Sequence, residues 1–242
     1  MPNKQGAWCT DKTWVGRSNC ASCAVRHSVL FADLQPAELS RFVEPIDNFL
    51  FEAGARVYQP SDPPRFVYTL RRGLVKLEQS DAEGSARIVR LLGIGDVAGL
   101  EALLDGPYRH TATALRRVDL CRIPVSVIEA LKSSHPALNE QLARRWEDSL
   151  ETADYWITRL SSGTARQRAA WLVRYLIRMT GSTRDCVELL SSADMAAAIG
   201  TTVETLSRTM AEMKQSGVLT GLGARRYRCD MDAIRALSER AV

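Results

Sequence analysis

The chain has 242 residues, 45% of them hydrophobic and 25% charged, with a formal net charge of +4; that length suits two modest domains, and the composition excludes a disordered chain. No run of about 18 uncharged apolar residues appears, so no membrane span is expected, and Met1 to Cys23 lacks the apolar segment of a secretion signal, so a cytoplasmic protein is expected. Residues 1–161 carry 20 Lys and Arg against 20 Asp and Glu, whereas residues 162–242 carry 12 against 8, which puts the whole positive excess in the last third, where a phosphate-binding module would show it.

Residues 1–26 form a polar arm with three of the six cysteines, Cys9, Cys20 and Cys23. A reducing cytosol disfavours structural disulfides, so clustered thiols in a polar segment point to metal or redox chemistry. Residues 27–133 read as one domain. A short amphipathic helix is predicted after Pro36, with Leu39, Phe42 and Val43 turned inward. From about Phe49 to Pro124 short β-type runs such as 67–70, 74–77 and 88–92 alternate with glycines, among them Gly54, Gly73, Gly93 and Gly99. That texture predicts a small antiparallel roll or barrel.

Residues 134–161 read as one long helix opened by Pro136. Leu138, Leu142, Trp146, Ser149 or Leu150, Ala153, Trp156 and Leu160 fall at steps of three and four, a heptad-like seam. A single helix cannot bury two tryptophans alone. The seam therefore predicts a homodimer interface through Leu142, Trp146, Leu150, Ala153, Trp156 and Leu160, with packing on the chain's own β-roll as the alternative.

Residues 162–242 begin with the break Ser161-Ser-Gly163, followed by a helix with Ala169, Leu172, Val173, Leu176 and Ile177 on its apolar face and Gly181 at its end. Ser191 and Asp194 start a short alanine-rich helix. Gly200 supplies a turn, Thr201 or Thr202 caps the next helix, and Glu204 lies in its first turn. Val203, Leu206, Met210 and Met213 are that helix's expected buried face. Glu204, Ser207 and Arg208 stand at i, i+3 and i+4 and share an exposed face near the N-terminus, where a recognition helix presents side chains to the major groove. Arginine can hold guanine O6 and N7, glutamate can accept from cytosine N4, and serine serves several bases. A plain surface ion pair between Glu204 and Arg208 is the simpler explanation of the spacing alone. The segments Ser216-Gly-Val-Leu219, Gly221-Leu-Gly223 and Ala224-Arg-Arg-Tyr-Arg228 then read as a wing, with Arg225, Arg226 and Arg228 suited to phosphates. The candidate DNA-binding residues are Thr202, Glu204, Thr205, Ser207, Arg208, Arg225 and Arg226.

Val203-Glu-Thr-Leu-Ser-Arg208, followed by Gly217-Val-Leu219, resembles the recognition helix of the Crp/Fnr family of bacterial regulators. Its Glu-x-x-Ser-Arg pattern is similar to the Fnr branch, which reads half-sites of the TTGAT type. Arg72-Gly-Leu-Val-Lys76, Gly95-Asp-Val-Ala-Gly99 and Cys121-Arg-Ile-Pro124 are similar to that family's β-roll landmarks, so the resemblance runs from about Cys20 onward. It implies an α+β fold: an N-terminal cyclic-nucleotide-binding-type antiparallel β-roll, a long dimerisation helix and a C-terminal winged helix-turn-helix. It implies double-stranded DNA and RNA polymerase as partners, with the Arg71-Arg72-Gly73 corner a candidate polymerase contact.

The cAMP-binding branch pairs the cyclic phosphate with an arginine before a Ser or Thr. Here His110 takes that place before Thr111, and Arg109 one position away would face the other side of a strand. Cyclic-nucleotide binding is not expected, although Glu101 and Arg109 leave the option open. The Fnr branch carries an oxygen-labile [4Fe–4S] cluster on four cysteines. Cys20 and Cys23 resemble its first pair and Cys121 its distant ligand. Val29 occupies the place of the third N-terminal cysteine, which leaves Cys9 as the fourth candidate and His27 as a weaker substitute. Oxygen sensors of this type carry an acidic residue where Ala153 stands, so this dimer is expected to persist without metal.

Other readings of the same residues are a redox thiol pair or zinc site at Cys20 and Cys23, Cys121 as a small buried hydrophobe, and a small ligand in the β-roll. Cys186 and Cys229 read as inert packing residues. A nucleotide-binding regulatory module without a DNA target is the remote alternative. No catalytic motif appears, so no enzyme is expected.

Overall fold

A computed structural model describes residues 12–18, 23, 31, 46–80, 86–180 and 185–239. The described residues divide into two compact units, one from the residues up to Gln79 with Leu91–Asp148, the other from Ser80–Arg90 with Ser149 onward. The helix expected after Pro36 lies outside the described residues.

The first unit is built on antiparallel strands. They are β1 (Lys12–Arg17), β2 (Asp47–Phe51), β3 (Arg56–Tyr58), β4 (Phe66–Arg72), β5 (Val75–Ser80), β6 (Ala86–Leu92, most of which belongs to the second unit), β7 (Val97–Ala98), β8 (Thr111–Ala114) and β9 (Val118–Pro124). They form two sheets in the orders β1-β2-β9-β4-β7 and β3-β8-β5-β6. In β4, Tyr68 and Leu70 face one side and Val67 and Thr69 the other, and all four are buried. Such a strand shows as a continuous apolar run rather than an alternation. Its second face meets α1 (Val125–Ser134) and the start of α2 (Ala137–Tyr155), where Val67, Ile123, Ile128, Leu131, Leu138 and Leu142 share one core.

β1 is a strand that hydrophobic patterning does not reveal. Trp14 and Val15 are more than half exposed, so no face of β1 is a core face. It is held by antiparallel pairing with β2 and by the Trp14 indole N–H donating to Asp47 at 3.0 Å. Burial pushes the Asp47 carboxyl up, but hydrogen bonds from Trp14 and Arg122 and the charges of Arg122 and Arg17 outweigh it and hold the group below the ordinary carboxylate range.

The β4–β5 corner depends on Gly73. Its φ is +99°, and a Cβ there would lie 2.5 Å from the Arg117 carbonyl oxygen and 2.8 Å from Val118 Cα. Backbone atoms cannot step aside as a side-chain tip can. Gly73→Ala is expected to destabilise the β-roll by about 1–3 kcal/mol or more, seen as a lowered melting temperature; an unchanged one would mean the corner relaxes freely.

α2 continues as a π-helical turn, Trp156–Leu160. The expected dimer seam is here split in two. Leu142 lies in the core of the β-roll unit. Trp156 and Leu160 are buried in the second unit, with the Trp156 indole N–H donating to the Ile88 carbonyl at 3.0 Å and its ring edge-on to Tyr175. These three residues face their own chain, which corrects the expected interface. Trp146, Leu150 and Ile157 remain exposed, with Ala153 half-buried between them. The helix carries two apolar stripes side by side, and a reading by steps of three and four merges them.

The second unit continues with α3 (Ala165–Thr180), β10 (Cys186–Glu188), α4 (Ser192–Ile199), α5 (Val203–Gln215), β11 (Leu219–Gly223), β12 (Arg226–Cys229) and α6 (Met231–Glu239). Thr164 and Gln167 cap α3 reciprocally: the Gln167 backbone N–H donates to Thr164 Oγ1 at 3.2 Å, and the Thr164 N–H to Gln167 Oε1 at 2.8 Å. Ala169, Leu172, Val173 and Leu176 are fully buried along α3.

Candidate nucleic-acid interface

Ser191 starts α4 as expected, its Oγ accepting from the Asp194 N–H at 3.0 Å. Ala196 and Ala198 are buried, and their small side chains let α4 and α5 approach closely. Gly200 ends α4 in the left-handed conformation, φ +59°, which costs glycine little. Thr202, not Thr201, caps α5, its Oγ1 accepting from the Thr205 N–H at 3.2 Å.

Leu206, Met210 and Met213 are buried, and Thr209 joins them. Val203 does not: it is 41% exposed, a correction to the expected buried face. It is the first residue of the helix, directly after the Thr202 cap. Glu204, Ser207 and Arg208 are exposed, Thr202 is exposed beside them, and Thr205 is half-buried. A hydrogen bond with its own backbone N–H and one from the Thr202 side chain hold the Glu204 carboxyl below the ordinary range, so it is ionised at neutral pH. Among the described residues no ion pair joins Glu204 to Arg208.

β10, β12 and β11 form a three-stranded sheet in that order. The β11–β12 hairpin turns through Gly223 at φ +101° and Ala224 at φ +46°. This projects Arg225 and Arg226 at the tip and Arg228 along β12, all exposed. Tyr227 turns back, with the Lys214 ammonium 5.1 Å from its ring centroid. The exposed Ser207–Arg208 face of α5 and the exposed arginines of the wing both belong to this unit.

Residues 49–135 match the family model of the cyclic nucleotide-binding domain, and residues 169–237 match that of the Crp-like helix-turn-helix domain. The fumarate and nitrate reduction regulatory protein of Salmonella typhi is 25% identical over 229 residues, 91% of this chain and 90% of its own. The chain belongs to the Crp/Fnr family. Crp/Fnr structures share its fold. FixK2 from Bradyrhizobium japonicum is 24% identical, with a TM-score of 0.73 over 81% of this chain and 99% of its own. A CRP/FNR-family transcriptional regulator from Thermus thermophilus is 26% identical, with a TM-score of 0.67 over 80% and 98%. The β-roll and winged helix-turn-helix expected from sequence are both present. The protein is a DNA-binding transcription regulator of the Crp/Fnr type, not an enzyme.

At the sensor end of this Crp/Fnr chain, Cys121 is half-buried on β9. Its Sγ donates to Asn48 Oδ1 at 3.2 Å and accepts from Ser18 Oγ at 3.5 Å, and the Ser18 hydroxyl also contacts Asn48 at 2.6 Å. Cys121 thus sits in a polar group rather than wholly in the core. Cys23 is half-buried, whereas Cys9 and Cys20 lie outside the described residues. Among the described residues no group of three or more His, Cys, Asp or Glu could hold a metal ion. In the wing unit, burial first, then Cys186 and Asp185, push the Cys229 thiol up to about 12, so it stays protonated and unreactive.

At the positions where the cyclic-nucleotide branch holds its ligand, Glu101 Oε1 accepts from the Arg109 N–H at 3.0 Å and lies 4.0 Å from His110 Nδ1. The carboxylate there is engaged within its own chain.

Proposed function

We propose that this regulator binds DNA in the cytoplasm as a homodimer, reads TTGAT-type half-sites, and responds to oxygen or redox state through a [4Fe–4S] cluster. The observation that carries the DNA reading is the capped N-terminal half of α5, whose first two turns present Glu204, Ser207 and Arg208 on one exposed face, together with an arginine-bearing wing. Arg208 pairs a guanine, Glu204 accepts from a cytosine amine or braces Arg208, and Ser207 serves a neighbouring base. Exposed Val203 adds an apolar contact for a thymine methyl, which fits a thymine-rich half-site. Thr202, Thr205, Arg225 and Arg226 hold phosphates and set the register. RNA polymerase is the further partner, met at the Arg71-Arg72 corner.

The cluster would be held by Cys20, Cys23 and Cys121 with Cys9 as fourth ligand. The residues present fit it in one respect. Cys121 is half-buried beside the Ser18 and Asn48 side chains rather than sealed in the core, so its thiol is open to a ligand role, while Cys9 and Cys20 lie outside the described residues. The cluster would supply an oxygen-sensitive redox signal. Anaerobically purified protein is expected to show visible absorption that bleaches in air and about four irons per chain. Cys121→Ala and Cys9→Ala should each lose both; a colourless, iron-free wild type that still binds DNA would replace the cluster with thiol redox or a ligand input.

The homodimer rests on the exposed stripe Trp146, Leu150, Ala153 and Ile157, spaced by four, three and four residues as a paired helix requires. Leu150→Glu is expected to convert the dimer to monomer in sedimentation at micromolar concentration while leaving the melting of each unit nearly unchanged, since Leu150 is 69% exposed. A dimer that survives the substitution would place the interface elsewhere.

A further inference from the structure

Three arginines of the second unit stack on aromatic rings where the end of α2 meets α3. The Trp171 ring carries two guanidiniums, Arg159 at 4.7 Å and Arg174 at 4.3 Å from its centroid. Arg178 lies 5.3 Å from the Tyr155 centroid and 5.4 Å from that of Tyr175. The rings brace one another: Tyr155 is edge-on to Trp171 at 5.9 Å, and its hydroxyl donates to the Trp171 carbonyl at 3.3 Å. Tyr175 is buried, Tyr155, Trp171 and Arg174 are half-buried, and Arg159 and Arg178 are exposed.

Ring stacking holds a guanidinium flat and turns its N–H edge outward, ready for a carboxylate. Arg174 shows the mode within its own chain: stacked on Trp171, it donates to Ser238 Oγ at 2.7 Å and to the Glu239 carboxylate at 3.0 Å. Arg159 and Arg178 have no carboxylate partner among the described residues. Burial pushes the Tyr155 phenol up, and the charges of Arg178, Arg174 and Arg159 act against it, so three cations converge on one ring. The buried side of α3 is Ala169, Leu172, Val173 and Leu176. At about 100° per residue, Trp171, Arg174 and Arg178 lie on the opposite side. Tyr155 is two positions from both Ala153 and Ile157, on another face of the helix than the exposed apolar stripe.

We propose that this arginine–aromatic face, formed by the end of α2 and the outer side of α3, is a docking surface for an acidic protein segment. Asp or Glu side chains of the partner pair with the outward edges of Arg159 and Arg178, as Glu239 already does with Arg174. The surface is separate from α5 and the wing, so the regulator could hold this partner and DNA together.

The test is fluorescence anisotropy of the full chain with a labelled peptide of alternating Glu and Gly. The alternating Gln and Gly peptide is the uncharged control, and a short oligothymidylate represents nucleic acid. Saturable binding of the acidic peptide is expected, with the Gln peptide weaker by about tenfold or more. The double substitution Arg159→Gln with Arg178→Gln should weaken the acidic peptide about tenfold, and either one alone about threefold. Both side chains are exposed, so melting and duplex DNA binding should hold. Arg225→Gln with Arg226→Gln, in the wing, should weaken oligothymidylate and leave the acidic peptide nearly unchanged. No binding of the acidic peptide at near-millimolar protein, or an equal loss in the wing variant, would overturn the proposal. Oligothymidylate depending on Arg159 and Arg178 as strongly as the peptide would overturn it in favour of a nucleic-acid surface. None of these results touches recognition through α5.

Discussion

Arg208→Ala is expected to abolish sequence discrimination while leaving the protein folded. A bidentate arginine–guanine pair is worth about 1–3 kcal/mol. A dimer uses it once in each half-site, so the expected loss is about 2–6 kcal/mol, roughly thirty-fold to more than a thousand-fold in affinity for the specific duplex. Binding to unrelated duplex should change little, because that term comes from phosphate contacts such as Arg225 and Arg226. Arg208 is exposed, so the melting temperature should hold. Anisotropy titrations with specific and scrambled duplexes at fixed salt measure both quantities. Specificity that survives in a folded Arg208→Ala protein would remove α5 as the reader.

Trp156→Ala is expected to produce the largest loss of stability. The side chain is 5% exposed, its indole N–H bonds the Ile88 carbonyl, and its ring meets Tyr175 at 5.4 Å. Truncating a buried tryptophan costs about 3–5 kcal/mol, and here it also orphans the Ile88 carbonyl. For a unit of about a hundred residues this lowers the melting temperature by on the order of 10–20 °C. Trp146→Ala, ten positions earlier and 36% exposed, should leave the melting of a monomer almost unchanged and weaken only self-association. Calorimetry on the two variants separates the inward stripe from the outward one. Equal losses would mean that both tryptophans serve the same surface.

The helix-turn-helix was legible in the sequence because each signal is local. Ser191, Gly200 and Thr202 act within four residues of where they stand, and the structure puts each at the helix end it marks. Val203 was misjudged because period alone cannot say where the partner helix stops. The seam along α2 was misjudged for a related reason: steps of three and four describe either of two adjacent stripes, and which one faces inward depends on contacts such as Ile88 with Trp156, 68 residues apart. β1 escaped because no side of it is buried. The stack of Tyr58, Tyr68 and Tyr108 and the Arg122 guanidinium over the Phe49 ring were illegible, since these residues have no spacing in common and meet only in the folded β-roll. The polar company of Cys121 has the same origin, with Asn48 73 residues away and directly opposite on β2.

The most direct test of sequence-specific recognition is an anisotropy titration of anaerobically purified protein against two duplexes at one salt concentration. One carries inverted TTGAT half-sites with centres about 10 base pairs apart, and the other a scrambled sequence. At least a thousand-fold preference for the first is expected; equal affinity for both would contradict recognition through Glu204, Ser207 and Arg208.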